Sequence, residues 1–142
     1  MGGRRFEGFV KLNLSTRPEY RPSTPEEDKI WGVDFYWAGL PVDVTNSPEK
    51  SHVEWLWSDD RAESMAISVG VRSGNGRHRF RQPTLVILVE PPSEVKAGYV
   101  NTCPVELRRG WEKLAARQVT PALLEDASSL YWDWDDVVNG SQ

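Results

Sequence analysis

The feature that most constrains this chain is a change of apolar period near residue 100. Up to Glu90, apolar side chains recur mostly at every second position or in short runs of β-branched and aromatic residues, as strands require. Beyond that point, in CPVELRRGWEKLAARQ (Cys103–Gln118), Leu107, Trp111, Leu114 and Gln118 follow i, i+4, i+7, i+11, the stripe of an amphipathic helix. Pro104 suits the first helical position and Glu106 the third. TPALLEDASSL (Thr120–Leu130) opens a second helix, with Thr120 as cap and Pro121 at the first position. Strands followed by helices predict an α+β fold: an antiparallel sheet of about five or six strands followed by two C-terminal helices packed on one face.

Within the strand block, FEGFVKLNL (Phe6–Leu14) reads as a first strand. Residues 15–28 form a Pro-rich surface loop in which Thr24-Pro25-Glu26-Glu27 fits a single capped helical turn. KIWGVDFYWAG (Lys29–Gly39) reads as a central strand, LPVDVTNSPEK as a turn with a short strand, and SHVEWLWSDD (Ser51–Asp60) as another strand. SMAISVGVR (Ser64–Arg72) and RHRFRQPTLVILVE (Arg77–Glu90) flank Ser73-Gly74-Asn75-Gly76, a strong hairpin signal because Asn and Gly tolerate positive φ. Pro83 implies that the second arm bends, bulges or lies on an edge there.

The 142 residues suit one α+β domain spanning 1–142, ending in an acidic-aromatic segment, 131–142. No apolar run approaches the ~20 residues of a membrane span, so no membrane partner is expected. The start lacks the apolar core of a secretory signal, and Phe6 stands where N-myristoylation needs Ser or Thr. One cysteine cannot form an internal disulfide, which fits a soluble, cytoplasmic protein in a reducing compartment.

Charge is distributed in blocks around a net of −4. Residues 30–60 carry one Lys/Arg against six Asp/Glu, and 61–82 carry five against one; 119–142 carry none against five. The net charge disfavours a nucleic-acid partner, whose binding rests on neutralising phosphates.

Few residues suggest catalysis. Cys103, before a helix, is placed for a lowered thiol pKa, with His52 or His78 as base, but its surroundings match no nucleophile motif and a capping role is the simpler reading. Two distant histidines and one cysteine give no zinc spacing, and Asp133, Asp135 and Asp136 lack the glycine turn and distal glutamate of a calcium loop. No catalytic residue, metal or cofactor is therefore assigned.

The hairpin carries a stronger signal. A two-residue turn sends Ile67, Val69, Val71 and Phe80 to one face and Arg72, Arg77, Arg79 and Arg81 to the other. Four guanidiniums on one face need an anionic complement, either from the same chain or from outside. Seven tryptophans are present. Trp55 and Trp57, at i and i+2, are expected on one sheet face beneath the helices. In YWDWDDVVNG (Tyr131–Gly140), a strand would set Trp132 and Trp134 on one face and Asp133 and Asp135 on the other, where the carboxylates complement the arginines. The rival is that both patches are free to meet a partner.

These features predict a non-enzymatic binding protein that docks on a protein partner through charged and aromatic surface, with Arg72, Arg77, Arg79, Arg81, Trp132, Asp133, Trp134 and Asp135 as contact residues. It would inhibit or regulate that partner in the manner of immunity proteins and phage antagonists, an analogy of type only. Two alternatives stand: a single-strand nucleic-acid module using the arginine face, and an enzyme or ligand-binding fold with a Trp-lined pocket.

Overall fold

A computed structural model describes residues 2–46, 52–61, 65–72, 83–92 and 105–139. Residues 2–14, expected as a strand from Phe6 onwards, form helix α1 (Gly2–Leu14). Phe6, Val10 and Leu14 are the buried positions, at i, i+4 and i+8, and Lys11 pairs with Glu7 one turn back at 2.8 Å. The short run fits both periods, and tertiary packing selects the helical one: Phe6 stacks on Trp111 with ring centroids 6.2 Å apart.

The Pro-rich loop contains β1 (Tyr20–Pro22) and then α2 (Pro25–Trp31). The expected capping box is present. The Thr24 hydroxyl accepts from the Glu27 N–H at 3.1 Å, and the Glu27 carboxylate accepts from the Thr24 N–H at 2.8 Å. Gly32 closes the helix in the left-handed conformation at φ 68°. Lys29–Gly39 is thus not one strand. Its first three residues finish α2, and only Phe35–Trp37 (β2) are extended. Ala38 and Gly39, at φ 49° and 84°, make a tight turn into β3 (Leu40–Thr45), a fully buried strand where a turn with a short strand was expected.

β4 (Val53–Arg61), β5 (Met65–Arg72) and β6 (Thr84–Glu90) complete a six-stranded sheet in the order β1-β2-β3-β6-β5-β4. The sheet is mixed, not wholly antiparallel, because β6 returns between β5 and β3 and runs parallel to β3, with Val42 beside Leu85 and Val44 beside Ile87. These two central strands are covered on both faces, which explains their near-continuous apolar sequence. The β5–β6 register also differs from a two-residue hairpin. Arg72 faces Thr84, and Ala66 faces Glu90, so β5 is filled by Thr84–Glu90 and not by Arg77–Arg81.

Two helices follow as expected, α3 (Val105–Ala116) and α4 (Pro121–Asn139). In α3 the buried stripe is Trp111, Glu112, Ala115 and Ala116; Leu114, expected inside, is exposed. Thr120 caps α4, its hydroxyl accepting from the Leu123 N–H at 3.1 Å. α4 continues through Tyr131–Asn139, where a strand was expected. Leu124, Ala127 and Tyr131 are buried with Leu130 and Trp134 packed beside them, so the two aromatics extend a helical stripe that the alternating carboxylates disguise.

One face of the sheet carries the main core. Phe35, Val42, Val44, Ile67, Val69, Val71, Leu85, Ile87 and Val89 pack beneath α1, α3 and α4. Ile67, Val69 and Val71 therefore lie where the alternation placed them. Burying this layer is the dominant stabilising contribution, at roughly 25 cal/mol per Å² of apolar surface. No helix among the described residues is long and apolar enough to cross a membrane.

Candidate functional site

Two clusters of polar and aromatic side chains stand out, at opposite ends of the sheet. The first lies where α1, α2, β2 and β3 meet. Asp34, directly before β2, is only 5% exposed, and its carboxylate accepts from the Val44 N–H at 2.9 Å. Asp43 of β3, also buried, is hydrogen-bonded to it side chain to side chain. Burial first, then the neighbouring Asp43 and Glu7 charges, pushes the Asp34 carboxyl up to about 9, so Asp34 holds a proton at neutral pH and donates it to Asp43. Arg72 reaches Asp43 at 2.8 Å, while the other guanidinium nitrogen donates to the Gly32 carbonyl at 3.2 Å. Asp43 is thus an anionic partner of Arg72 within the chain.

Oxygens of Glu7, Asp28 and Asp34 lie within 4.8 Å of one another beside a cleft of about 700 Å³ that Glu7, Lys11, Asp28 and Lys29 line. Oxygen donors at that spacing suit a hard divalent cation. Positive charge is already supplied by Lys11, however. Burial works against its ammonium, but the hydrogen bond and charge of Glu7, with Asp34 and Asp28 beyond, raise its pKa overall. The three carboxylates come from α1, α2 and the approach to β2, so no local spacing in the sequence announces them. Nearby, the Tyr36 hydroxyl donates to Glu27; burial first and then that carboxylate raise the phenol to about 12.

The second cluster is built on β4, the outermost strand, and on α4 beside it. A register shift between Trp55 and Trp57 sets Trp55 opposite Gly70 and Trp57 opposite Val69. Gly70 and Val69 point to opposite faces, so this bulge sends the two tryptophans to opposite sides of the sheet, contrary to the shared face expected from i, i+2 spacing. Trp55 is 42% and Trp57 38% exposed. Gly70 is needed beneath Trp55. A Cβ there would lie 2.6 Å from Val53 and 2.8 Å from the Glu54 carbonyl and the Trp55 ring.

On the helical side, Trp57 and Val69 form one wall of a groove of about 510 Å³, and Leu123, Ala127 and Leu130 of α4 form the other. Asp59 and Asp126 add two carboxylates to its lining. Trp134 ties α4 to β4 by donating its indole N–H to Glu54 at 2.6 Å. The Tyr131 hydroxyl donates to the Pro83 carbonyl at 3.2 Å, and burial with the Asp135 charge raises its pKa. Trp132 is half exposed, and Asp133 and Val137 face solvent.

Of the expected contact residues, Trp132, Asp133, Trp134 and Asp135 thus share one helix beside β4, with Trp134 turned inward and Trp132 outward. Arg72 lies elsewhere, in the buried network with Asp43. Arg77, Arg79 and Arg81, together with Phe80, His78, Cys103 and the Gly74-Asn75 turn, lie outside the described residues. Sequence reasoning missed Asp34 and Asp43 as a pair, and also the role of Trp57. Among the described residues, Trp57 is the tryptophan that lines the groove.

The fold and these two sites define an α+β protein whose mixed sheet ends, among the described residues, in the nine-residue strand β4. Compared with protein-family models, curated proteins and solved structures, the chain matches none. Its function is therefore read from geometry.

Proposed function

We propose that this protein docks on another protein through the β4 edge and the adjoining face of α4, and that by occupying its partner it inhibits or regulates it. The observation that carries this reading is the presentation of β4. It is a nine-residue strand at the end of the sheet, with a half-exposed tryptophan on each face and an apolar groove along one side. Large aromatics set in a partly desolvated recess are the residues that dominate binding energy at protein interfaces. The exposed Trp132 on the same helix extends the aromatic surface.

Site-specific photocrosslinking in the native host tests the reading. A photoreactive residue at Trp57 or Trp132 is expected to give one discrete protein adduct. The same residue at Leu12, exposed on α1 at 72%, is expected to give none. Equal adducts at all three positions, or none at Trp57 and Trp132, would refute docking on this face.

A further inference from the structure

We infer that the docking partner anchors itself in the groove with an arginine, whose guanidinium lies against the Trp57 ring and pairs with the Asp126 carboxylate. This rests on the docking reading above and specifies what is docked. The polar and aromatic groups of the lining divide by whether the chain already uses them. Asp59 and Gln118 are engaged within the chain. The Thr120 hydroxyl accepts from the Leu123 N–H at 3.1 Å, and the Ser129 hydroxyl donates to the Glu125 carbonyl at 3.3 Å. That leaves Trp57 and Asp126. Both are exposed, and among the described residues no ring or cation packs on Trp57 and no donor meets the Asp126 carboxylate.

One chemical group satisfies both. A guanidinium is planar, stacks on an indole face and offers a carboxylate two parallel N–H donors, which an ammonium does not. Its methylene stem needs apolar cover, and Val69, Leu123 and Leu130 supply it along the same groove. At about 510 Å³ the groove falls among recesses that hold a drug-sized ligand, roughly 300–1,000 Å³, so it takes an apolar side chain beside the arginine. Charge selects the source. α4, which forms one wall, carries five Asp/Glu and no Lys or Arg, and its last turn lacks the basic residue that a helix C-terminus favours. A nucleic acid or an anionic lipid surface is repelled by that wall, whereas a cationic side chain of a protein gains from it.

The probe is an acetylated, amidated peptide, Gly-Leu-Ser-Arg-Gly, whose Leu and Arg lie on one side when the segment is extended. It is titrated into the isotopically labelled full chain and followed by NMR at the Trp57 indole and the backbone amides. Shifts concentrated at Trp57 and residues 122–130 are expected. Citrulline in place of the arginine keeps the shape and removes the charge, and should weaken binding about tenfold. Asp126→Asn should weaken the arginine peptide by a similar factor and leave the citrulline peptide unchanged, a coupling that the general acidity of the face would not produce. Because Asp126 is exposed, the urea midpoint of that variant should not move. Equal binding of the two peptides, shifts centred away from the groove, or none at roughly millimolar peptide would overturn the inference. Groove shifts that grow with protein concentration alone would also overturn it, by assigning the groove to a second copy. The two readings fail separately. Crosslinks at Trp57 with no preference for arginine would leave docking standing and remove the arginine anchor, whereas absent crosslinks would remove docking and the anchor with it.

Discussion

The two edges of the sheet are treated in opposite ways. β1 is three residues long, ends in a proline that offers no N–H, and has Arg21 laid over the Tyr36 ring of its neighbour at 4.2 Å. A short strand with a proline and a covering cation is how proteins keep an edge from recruiting other strands. β4 is nine residues long and carries two half-exposed tryptophans. Among the described residues, its protection is one bulge and the charges near its end. Around β2 and β3 the ionisable groups are also paired internally, Asp34 and Asp43 with each other, Asp43 with Arg72 reaching over from β5, and Glu7 with Lys11. One end of the sheet is closed on itself, and the other presents groups that gain by meeting something else.

The largest effect should come from removing the support of the open edge. Gly70→Val would place its Cβ against Val53, the Glu54 carbonyl and the Trp55 ring, two of them parts of the β4 backbone or a rigid aromatic. A loss of about 3 kcal/mol in urea unfolding is expected, with hydrogen exchange accelerated first along β4. Retained protection of β4 amides would mean that the edge is held by α4 and not by β5.

The closed end should respond almost as strongly to Arg72→Met. That change leaves Asp43 buried with no guanidinium beside it and should cost about 3 kcal/mol. Adding Asp43→Asn should restore most of the loss, since the buried charge is then gone. No restoration would show that Arg72 acts through the Gly32 carbonyl instead.

Asp34→Asn tests the same end through pH. Because the folded-state pKa is raised, the native state holds a proton that the unfolded chain releases above about pH 4. Wild-type stability from this group is therefore present in full below that pH and is lost as pH climbs towards 9. Asparagine keeps the acceptor for the Val44 N–H and the donor to Asp43 without that proton linkage. The variant should gain on wild type by about 1.4 kcal/mol for each pH unit between roughly pH 4 and pH 8, the gap closing towards pH 4. A gap independent of pH would show that Asp34 is ionised in the native state.

Legibility in the sequence followed how local each signal was. The Thr24–Glu27 capping box and the Thr120-Pro121 start were readable because each depends on a few adjacent residues whose hydrogen bonds close locally. The inward face of β5 was readable because its alternation is uninterrupted. FEGFVKLNL was not, since six or seven residues satisfy both periods and the decision lies with Trp111, more than a hundred positions away. The WDWD run misled for a related reason. Its carboxylates alternate, but the burial that matters runs from Leu124 through Ala127 to Tyr131 at helical spacing. The Trp55–Trp57 bulge and the Asp34–Asp43 pair are properties of strand pairing, and no window along one strand encodes them.

The smallest stability effect, and the sharpest contrast between the two ends, should come from Trp132→Ala with Asp133→Lys. Both side chains face solvent on α4, and the Trp132 ring meets the protein mainly edge-on at Tyr131, with centroids 5.3 Å apart. Unfolding free energy should change by no more than about 1 kcal/mol, because the buried stripe of α4 is untouched. If Asp133 instead complemented a basic strand within the chain, reversing its charge would destabilise the fold and leave partner binding dependent only on folded concentration. The helix argues for the other outcome. On α4, Asp133 stands next to the outward Trp132, beside a strand whose own carboxylates already make that face acidic. A cationic partner should lose affinity by about tenfold in the variant while urea midpoints barely move. Equal losses in stability and binding would assign Trp132 and Asp133 to the fold and confine the docking face to β4 and the groove.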